Sequence, residues 1–288
     1  MRKARQKGFT LIELSIVLVI IGLIVGGVLV GQDLIRAAAV CAQVTQIEKF
    51  NTAANTFYGK YGYLPGDIKD PDASNFGFLA RGQYAGEGDG NGVIEGIWQD
   101  AASSNAGRYS SGETLMFWVD LSNAHLIEGG FTVATPTWSE FPAQSVSTDF
   151  PDAKIGNGNS VSVMSGGLSA TDGSNYFSVM VLTQFNGGYT TSSPGMTVQQ
   201  AYAVDKKMDD GFPQTGRVTA VYMNGPLSAA NPSWAAGGGV AGASPGTVGA
   251  ASSTSCFDNA GNTANPMQYS LAQNGGAGVN CALSFRFQ

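Results

Sequence analysis

One run of apolar residues near the N-terminus constrains this chain more than any other feature of its sequence. The run covers residues 9–30 and holds a single charged residue, Glu13. As a helix that rises about 1.5 Å per residue, it would span roughly 33 Å, which is enough to cross the core of a bilayer. The sequence therefore predicts one membrane-spanning helix at the start of the chain.

The residues before this run predict its orientation. The leader MRKARQKG carries four cations, Arg2, Lys3, Arg5 and Lys7, which favours a cytoplasmic N-terminus by the positive-inside rule. A secretory signal peptide would have a shorter apolar core followed by a small-x-small cleavage site. Here the small residue, Gly8, precedes the core, so a cut after Gly8 would remove the cations and keep the apolar helix.

Glu13 argues against a plain single-pass anchor. A charge at this depth of a membrane helix costs roughly 2.5–3.5 kcal/mol on insertion scales. If the chain is cut after Gly8, Phe9 supplies a new α-amino cation one helical turn from Glu13, near the positive end of the helix dipole. We therefore expect Glu13 to pair with the amino terminus of a neighbouring subunit and to set the axial register between identical helices.

The segment GFTLIELSIVLVIIGLI resembles the N-terminal segment of type IV prepilins and type II secretion pseudopilins. Gly8 matches the residue before the cut, Phe9 matches the first mature residue, which the family's peptidase also N-methylates, and Glu13 matches the family's glutamate at the fifth mature position. The close resemblance covers about residues 2–60. It implies cleavage by prepilin peptidase, retention of the helix and assembly into a helical filament.

These features predict an α+β, pilin-like fold, in which a long N-terminal helix packs on an antiparallel β-sheet with long loops. The predicted organisation begins with a cleaved leader over residues 1–8. A helix follows over residues 9–59 and is transmembrane to about residue 31. Residues 60–288 are predicted to form an extracytoplasmic globular domain.

Periodicity predicts the remaining elements. One face of the long helix is expected to contact the sheet, because its apolar residues recur at helical spacing: Ile47, Phe50, Ala54 and Phe57. A second helix is predicted over residues 113–127, and loops over 66–112 and 227–255. β-Branched and aromatic runs predict four strands, the second central and the last an edge strand: residues 160–164, 176–183, 217–223 and 282–287.

Composition excludes some classes of function. The chain of 288 residues has a formal net charge of −6, and removal of the leader leaves 11 cations (15 − 4) against 21 acidic residues, a mature charge near −10. This balance argues against a general affinity for DNA through an overall positive field, and leaves open a local basic stripe in a filament. Only 12% of the residues are charged and 40 are Gly, which suits an extracytoplasmic β-rich domain with long loops better than a cytosolic enzyme.

The cysteines fit an extracytoplasmic compartment. Cys256 and Cys281 lie near the C-terminus, and a disulfide between them is a hypothesis for an oxidising environment. Type IV pilins have a similar C-terminal region bounded by a disulfide. Such a bond would stabilise the Gly/Asn-rich loop by about 3–4 kcal/mol on loop-entropy estimates. Cys41 is left over, and we expect it to be a small buried residue.

The segment GEGDGNGVIEG is a candidate Ca²⁺ site. Its carboxylate and amide oxygens alternate around Gly92, as in an EF-hand-type loop, and the candidate ligands are Glu87, Asp89, Asn91 and Glu95. The match is incomplete, because position 12 counted from Glu87 is Trp98, and Asp100 would have to replace the missing glutamate. Some pseudopilins are stabilised by calcium. Ca²⁺ is the one cofactor predicted, and an ordinary Asp-Gly turn is the alternative.

A second acidic segment, AVDKKMDDGFPQTG, contains Asp205, Asp209 and Asp210. We predict a strand end followed by a charged turn here, with a second cation site or a subunit contact as the alternative. Enzymatic chemistry is not supported: His125 is the only histidine, so no zinc-binding pair is available, and MSGGLSA lacks the lysine of a phosphate loop. We therefore expect no enzyme.

The function predicted is that of a structural subunit of a type IV pilus-like filament, held in the inner membrane before assembly and then part of a periplasmic or cell-surface filament. Expected partners are identical or related pilin subunits, prepilin peptidase, and an inner-membrane assembly platform with its ATPase. No specific nucleic acid is predicted.

A pseudopilin of a type II secretion system is the alternative, and a monomeric membrane-anchored binding protein is a lesser one. The disulfide favours the pilus, whereas the LPGD segment at residues 64–67, which resembles a recurring segment of pilin-like proteins just after the helix, and the candidate calcium loop favour the pseudopilin.

Overall fold

The structure is a computed structural model that describes residues 9–96, 112–132, 134, 145–165, 173–186, 189–224, 231–236 and 250–287. The chain divides into two compact units, Met1–Ala39 and Val40–Gln288. The helices are α1 Leu11–Tyr61, α2 Asp72–Asn75, α3 Glu113–Asn123, α4 Val146–Asp149 and α5 Val198–Met208, with a short 3₁₀ helix at Asn274–Gly276. The strands are β1 Ser160–Ser165, β2 Asn175–Asn186, β3 Tyr189–Ser193, β4 Val218–Thr219, β5 Val221–Asn224, β6 Asn231–Trp234, β7 Phe257–Asp258, β8 Gln268–Tyr269 and β9 Leu283–Arg286.

The long helix α1 contains 51 residues and contributes to both units. It ends two residues beyond the predicted limit, since Gly59 is tolerated inside the helix. Gly62 has a φ of +77°, and its N–H donates to the Tyr58 carbonyl oxygen at 2.8 Å. A glycine in this left-handed conformation is a common helix C-terminus.

The second half of α1 packs into the core of the Val40–Gln288 unit. The predicted face is confirmed, because Ile47, Phe50, Ala54 and Phe57 are all buried. The Phe50 ring lies 5.0 Å from the ring of Trp118 on α3. A polar contact adds to this packing, since the buried Gln43 Oε1 accepts from the backbone N–H of Ile155 at 2.9 Å.

The main sheet is antiparallel and has the order β1-β2-β9-β4, with β3 also paired to β2. β2 is central, as predicted. The last strand, β9, is an inner strand rather than an edge strand, because Phe285 pairs with Val218 of β4 on one side and Phe177 of β2 on the other. The long helix and the antiparallel sheet confirm the predicted α+β, pilin-like class.

Other local predictions are also wrong. The segment around Asp205 is the helix α5 rather than a strand end, because Thr197 and Gln200 form a capping box at its start. The single strand predicted over residues 217–223 is divided into β4 and β5. The predicted loop 227–255 contains β6, which pairs with β5 and buries Trp234; residues 225–230 and 237–249 lie outside the described residues.

Candidate functional site

The apolar N-terminal segment exposes its large side chains. All large apolar residues from Phe9 to Ile35 are exposed, and Phe9 itself is 84% exposed. Within the described residues, α1 is the one helix long and apolar enough to cross a membrane, with a mean hydropathy of 2.9 in its most apolar window. A continuous apolar surface of this size marks contact with a membrane or with other proteins. The predicted cleavage residue Gly8 lies outside the described residues.

Thr10 and Glu13 form a reciprocal pair at the start of α1. The Glu13 carboxylate accepts from the Thr10 N–H and from the Thr10 hydroxyl, both at 2.8 Å. The Thr10 hydroxyl oxygen accepts in turn from the Glu13 N–H at 3.3 Å. This arrangement is a capping box, which satisfies two N–H groups that a helix start otherwise leaves without partners. Glu13 thus has partners within its own chain.

A second site lies in the globular unit, where three carboxylates converge. Oxygens of Asp67, Asp89 and Glu113 lie within 4.8 Å of one another. Asp67 follows the end of α1, Asp89 lies in the GEGDGNG loop, and Glu113 is the first residue of α3. Asp67 and Glu113 are buried, whereas Asp89 is exposed. We call these three residues the carboxylate cluster.

Backbone N–H groups of the loop hold the two buried carboxylates. Asp67 accepts from Gly90 and Gly92, each at 2.8 Å. Glu113 accepts from the N–H groups of Gly88 at 3.0 Å and Glu95 at 2.9 Å. The loop therefore wraps around Asp67 and Glu113.

Burial raises the pKa values of both carboxyl groups. For Asp67, removal from water is the largest cause and raises the pKa to about 7, against the lowering effect of the Gly92 and Gly90 N–H groups. Burial, followed by the negative charge of Asp67, holds the pKa of Glu113 well above its usual range. Protons or a cation would relieve this repulsion.

The structure distributes the four predicted Ca²⁺ ligands differently from an EF-hand loop. Asp89 belongs to the carboxylate cluster. Asn91 lies beside it and donates its side-chain N–H to Asp89 and to Glu95, both at 3.2 Å. Glu87 instead accepts from the backbone N–H of Tyr84 at 3.2 Å. Trp98 and Asp100 lie outside the described residues.

The donor set of the carboxylate cluster fits Ca²⁺ in its chemistry. Carboxylate oxygens are the ligands that this cation prefers. A carboxylate has about four acceptor positions, so the N–H bonds described above leave capacity on Asp67 and Glu113. If Ca²⁺ binds, Asp67, Asp89 and Glu113 would hold it.

A buried ion pair fixes the segment that carries Asp67. Arg81 and Asp120 are joined at 2.6 Å, and both side chains are fully buried. The same Asp120 oxygen accepts from the Gly66 N–H at 2.7 Å. Gly66 has a φ of +86°, and a Cβ there would collide with the carbonyl oxygen of Glu113. The LPGD segment therefore positions Asp67 against α3.

The second acidic segment contains the end of α5, with Asp205, and the turn after it, with Asp209 and Asp210, and all three carboxylates accept hydrogen bonds. Asp205 accepts from the Gly211 N–H at 3.0 Å and from the Tyr269 hydroxyl at 2.7 Å. Asp209 accepts from the backbone N–H of Val218 at 3.0 Å, and Asp210 from the Thr215 hydroxyl at 2.6 Å. Burial raises the pKa of Asp205 to about 7. Oxygens of the three aspartates lie within 4.8 Å of one another. Their hydrogen bonds to backbone N–H and hydroxyl groups are those of a structural turn.

Cys256 and Cys281 are joined by a disulfide, with their Cα atoms 5.0 Å apart. The bond links the start of the β7–β8 hairpin to the residues before β9. Cys41 is free and exposed, so the expectation that it is buried is wrong. Its position on α1 faces away from the apolar residues that contact the sheet.

Sequence reasoning missed Asp67 and Glu113 as site residues. Each lies in a different segment from Asp89, so no spacing along the chain connects the three. The one local signal was the LPGD segment directly after a long helix, since Gly-Asp there combines a left-handed turn with a carboxylate.

Residues 3–29 match the family model described as the prokaryotic N-terminal methylation motif. No curated protein and no solved structure shows significant similarity to the chain. The chain therefore carries a prepilin-type signal segment, the class of sequence that prepilin peptidase processes. The apolar start of α1 fits a membrane anchor, in agreement with this motif.

Proposed function

We propose that this protein is a structural subunit of a type IV pilus-like filament. The observation that carries the proposal is the N-terminal methylation motif at residues 3–29 on a helix whose large apolar side chains are exposed from Phe9 to Ile35. Prepilin peptidase cuts after Gly8 and methylates Phe9. The retained helix stays in the inner membrane, with its N-terminus in the cytoplasm. The assembly platform and its ATPase then add the subunit to the filament.

Helix packing in the filament core would cover this apolar surface. Gly22, Gly26, Gly27 and Gly31 supply two small-xxx-small spacings, which let helices approach closely. A Cβ on any of these glycines would meet nothing within 4 Å in the single chain. The globular unit would then lie on the outside of the filament.

A substitution of Glu13 tests the assembly step. In the single chain its carboxylate already binds Thr10, and we expect a neighbour's Phe9 amino group to join this pair during assembly. Glu13→Ala should leave removal of residues 1–8 intact and strongly reduce the yield of filaments, measured by shearing and quantitative immunoblotting. Ser15→Ala is the matched control, since the Ser15 hydroxyl donates only locally to the Ile12 carbonyl oxygen at 2.9 Å. A normal filament yield from Glu13→Ala would contradict the mechanism.

A substitution of Gly8 tests the processing step. Substitution of Gly8 by leucine should block cleavage, because the peptidase requires a small residue before the cut in the family that the segment resembles. N-terminal peptide mass spectrometry would then find residues 1–8 still attached and Phe9 unmethylated. Mature protein that still begins at Phe9 would show that another peptidase acts.

A type II secretion pseudopilin uses the same processing and assembly, and it remains the second candidate. The LPGD segment and the carboxylate cluster support it, whereas the disulfide supports the pilus. Deletion of the gene separates the two: loss of surface filaments with normal export of secreted enzymes supports the pilus, and the reverse result supports the pseudopilin. A subunit that stays monomeric in the membrane would instead be an anchored binding protein.

Ca²⁺ binding at the carboxylate cluster remains a prediction. Millimolar Ca²⁺ should raise the Tm of the full chain in detergent micelles, and Asp89→Asn should reduce this shift because Asp89 is the exposed member of the cluster. Asp258→Asn, outside the cluster, is the control. An unchanged Tm of the unsubstituted chain would exclude stabilisation by Ca²⁺.

The proposal includes no catalytic activity. His125, the sole histidine, follows the end of α3 in a left-handed conformation with a φ of +56°, which is the geometry of a helix terminus.

A further inference from the structure

A cleft of about 270 Å³ opens on the globular unit where the second half of α1 meets the edge of the main sheet. α1 lines one side, β4 and the end of β9 line another, and the last turn of α5 lines a third. The floor of the cleft is apolar and consists of buried core side chains: Ile47, Phe177, Val218, Phe285 and Phe287. Its described lining residues include none of the carboxylate cluster and none of the segment between the two disulfide cysteines.

Two arginines lie side by side at the edge of this cleft. The pairing of Val218 with Phe285 places Arg217 opposite Arg286, and the Arg286 N–H donates to the Arg217 carbonyl oxygen at 2.8 Å. The Arg217 guanidinium lies close to its neighbour, since its Nη2 donates to the Arg286 carbonyl oxygen at 3.4 Å. Residues opposite each other in an antiparallel pair share one face of the sheet, and like charges there are destabilising. An anion bound beside the two arginines would relieve this repulsion.

A third cation, Lys207, lines the cleft from the last turn of α5. All three cations are exposed, and within the part of the chain that the structure describes none of them forms an ion pair. Glu48 of α1 is the one carboxylate among the described lining residues. Three cations against one carboxylate give the lining a net charge of +2, in a chain whose formal net charge is −6. The cleft is therefore a local positive region that attracts anions.

The charge, the floor and the size of the cleft together select the class of ligand. Guanidinium groups bind the oxygens of carboxylates and phosphates through paired hydrogen bonds. The apolar floor favours a ligand that also carries an apolar group, because contact with the floor removes that group from water. The volume lies just below the usual range for small-ligand sites, so the cleft suits one small molecule rather than a polymer.

We propose that this cleft binds a small organic oxyanion, in which a carboxylate or phosphate group is joined to an apolar group. Arg217, Arg286 and Lys207 bind the oxyanion, and the apolar group lies against the floor. Glu48 limits the affinity, because its carboxylate repels the charge of the ligand. The site lies wholly in the globular unit, so it does not rest on filament assembly.

The test uses the full chain in maltoside micelles, whose headgroup is uncharged and cannot compete as an anion. The probes are benzoate and phenyl phosphate in equilibrium titrations, with empty micelles as the blank, and they distinguish a carboxylate ligand from a phosphate ligand. Benzyl alcohol and inorganic phosphate are the comparisons, since the first lacks the charge and the second lacks the apolar group. We expect at least one probe to bind more tightly than either comparison, with an affinity that falls as the salt concentration rises.

Substitutions then assign the site. Arg217→Gln and Arg286→Gln should each weaken binding by about tenfold or more, the loss expected for a hydrogen bond between charged groups, whereas Glu48→Gln should strengthen it. Lys154→Gln, which removes an exposed cation outside the cleft, is the matched control and should bind normally. The proposal is overturned if neither probe binds, if a comparison binds as tightly as the tighter probe, or if both arginine variants, folded as judged by their Tm, bind as the unsubstituted chain does.

Discussion

Raising the pH should destabilise this protein through Asp67. The Asp67 residue is 1% exposed, and burial raises the pKa of its carboxyl group from 3.8 to about 7 in the folded chain. The folded state therefore holds a proton more tightly than the unfolded state does. This contribution to stability is complete below about pH 4 and is lost as the pH rises through about 7.

The size of this loss of stability follows from the difference between the pKa values of Asp67 in the folded and the unfolded chain. A difference of about three pKa units corresponds to at most about 4 kcal/mol of unfolding free energy at roughly 1.4 kcal/mol per unit. Asp67→Asn removes the titrating group, so the variant should lose less stability than the unsubstituted chain between pH 5 and pH 8. Asp205, whose pKa is also raised to about 7, should leave the variant with part of the pH dependence.

The assay is denaturant unfolding of the full chain in micelles at pH values from 5 to 9, with a chelator present so that Ca²⁺ cannot replace the proton. Glu48→Gln, an exposed carboxylate on α1, is the control and should follow the unsubstituted chain. Identical pH dependence in Asp67→Asn and the unsubstituted chain would refute the reasoning, because Asp67 would then carry no raised pKa in solution.

Three further substitutions test the globular unit by denaturant unfolding. Arg81→Met should cost about 3–5 kcal/mol because it leaves the Asp120 charge buried without its cation; a loss below about 1 kcal/mol would mean that Asp120 is neutral in the folded chain. Thr197→Ala removes the capping box of α5 and should cost about 0.5–2 kcal/mol, while Thr197→Ser should keep most of the stability. Cys256→Ser opens the loop closed by Cys281 and should cost about 3–4 kcal/mol, a loss that a reducing agent should reproduce in the unsubstituted chain and not in the variant.

Sequence periodicity predicted the elements that bury a continuous apolar face. Ile47, Phe50 and Phe57 contact the core because their spacing matches the helical repeat, and β2 is central because its sequence is apolar on both faces. The helix α5 was missed because its buried positions include small and polar residues, among them Ala201 and Asp205. The MTVQQ segment at its start held the signal, a threonine followed three residues later by glutamine.

The carboxylate cluster was beyond sequence reasoning for a different reason. The prediction placed all ligands inside GEGDGNGVIEG, since a local loop is the arrangement that spacing can reveal. The structure instead uses that loop as a source of backbone N–H groups around Asp67 and Glu113. Almost every residue type supplies a backbone N–H. The sequence therefore does not show which of these groups converge on a carboxylate, and only the fold does.

The Thr10–Glu13 capping box has a consequence for the chemistry of processing. Every group in that box lies after Gly8, so the proposed cut after Gly8 would remove none of the hydrogen bonds that begin α1. Phe9 and Thr10 precede the first helical residue, Leu11, so a peptidase that acted at Gly8 would not have to unwind the helix to contact them. A cut at the proposed position would therefore leave the start of the helix already formed.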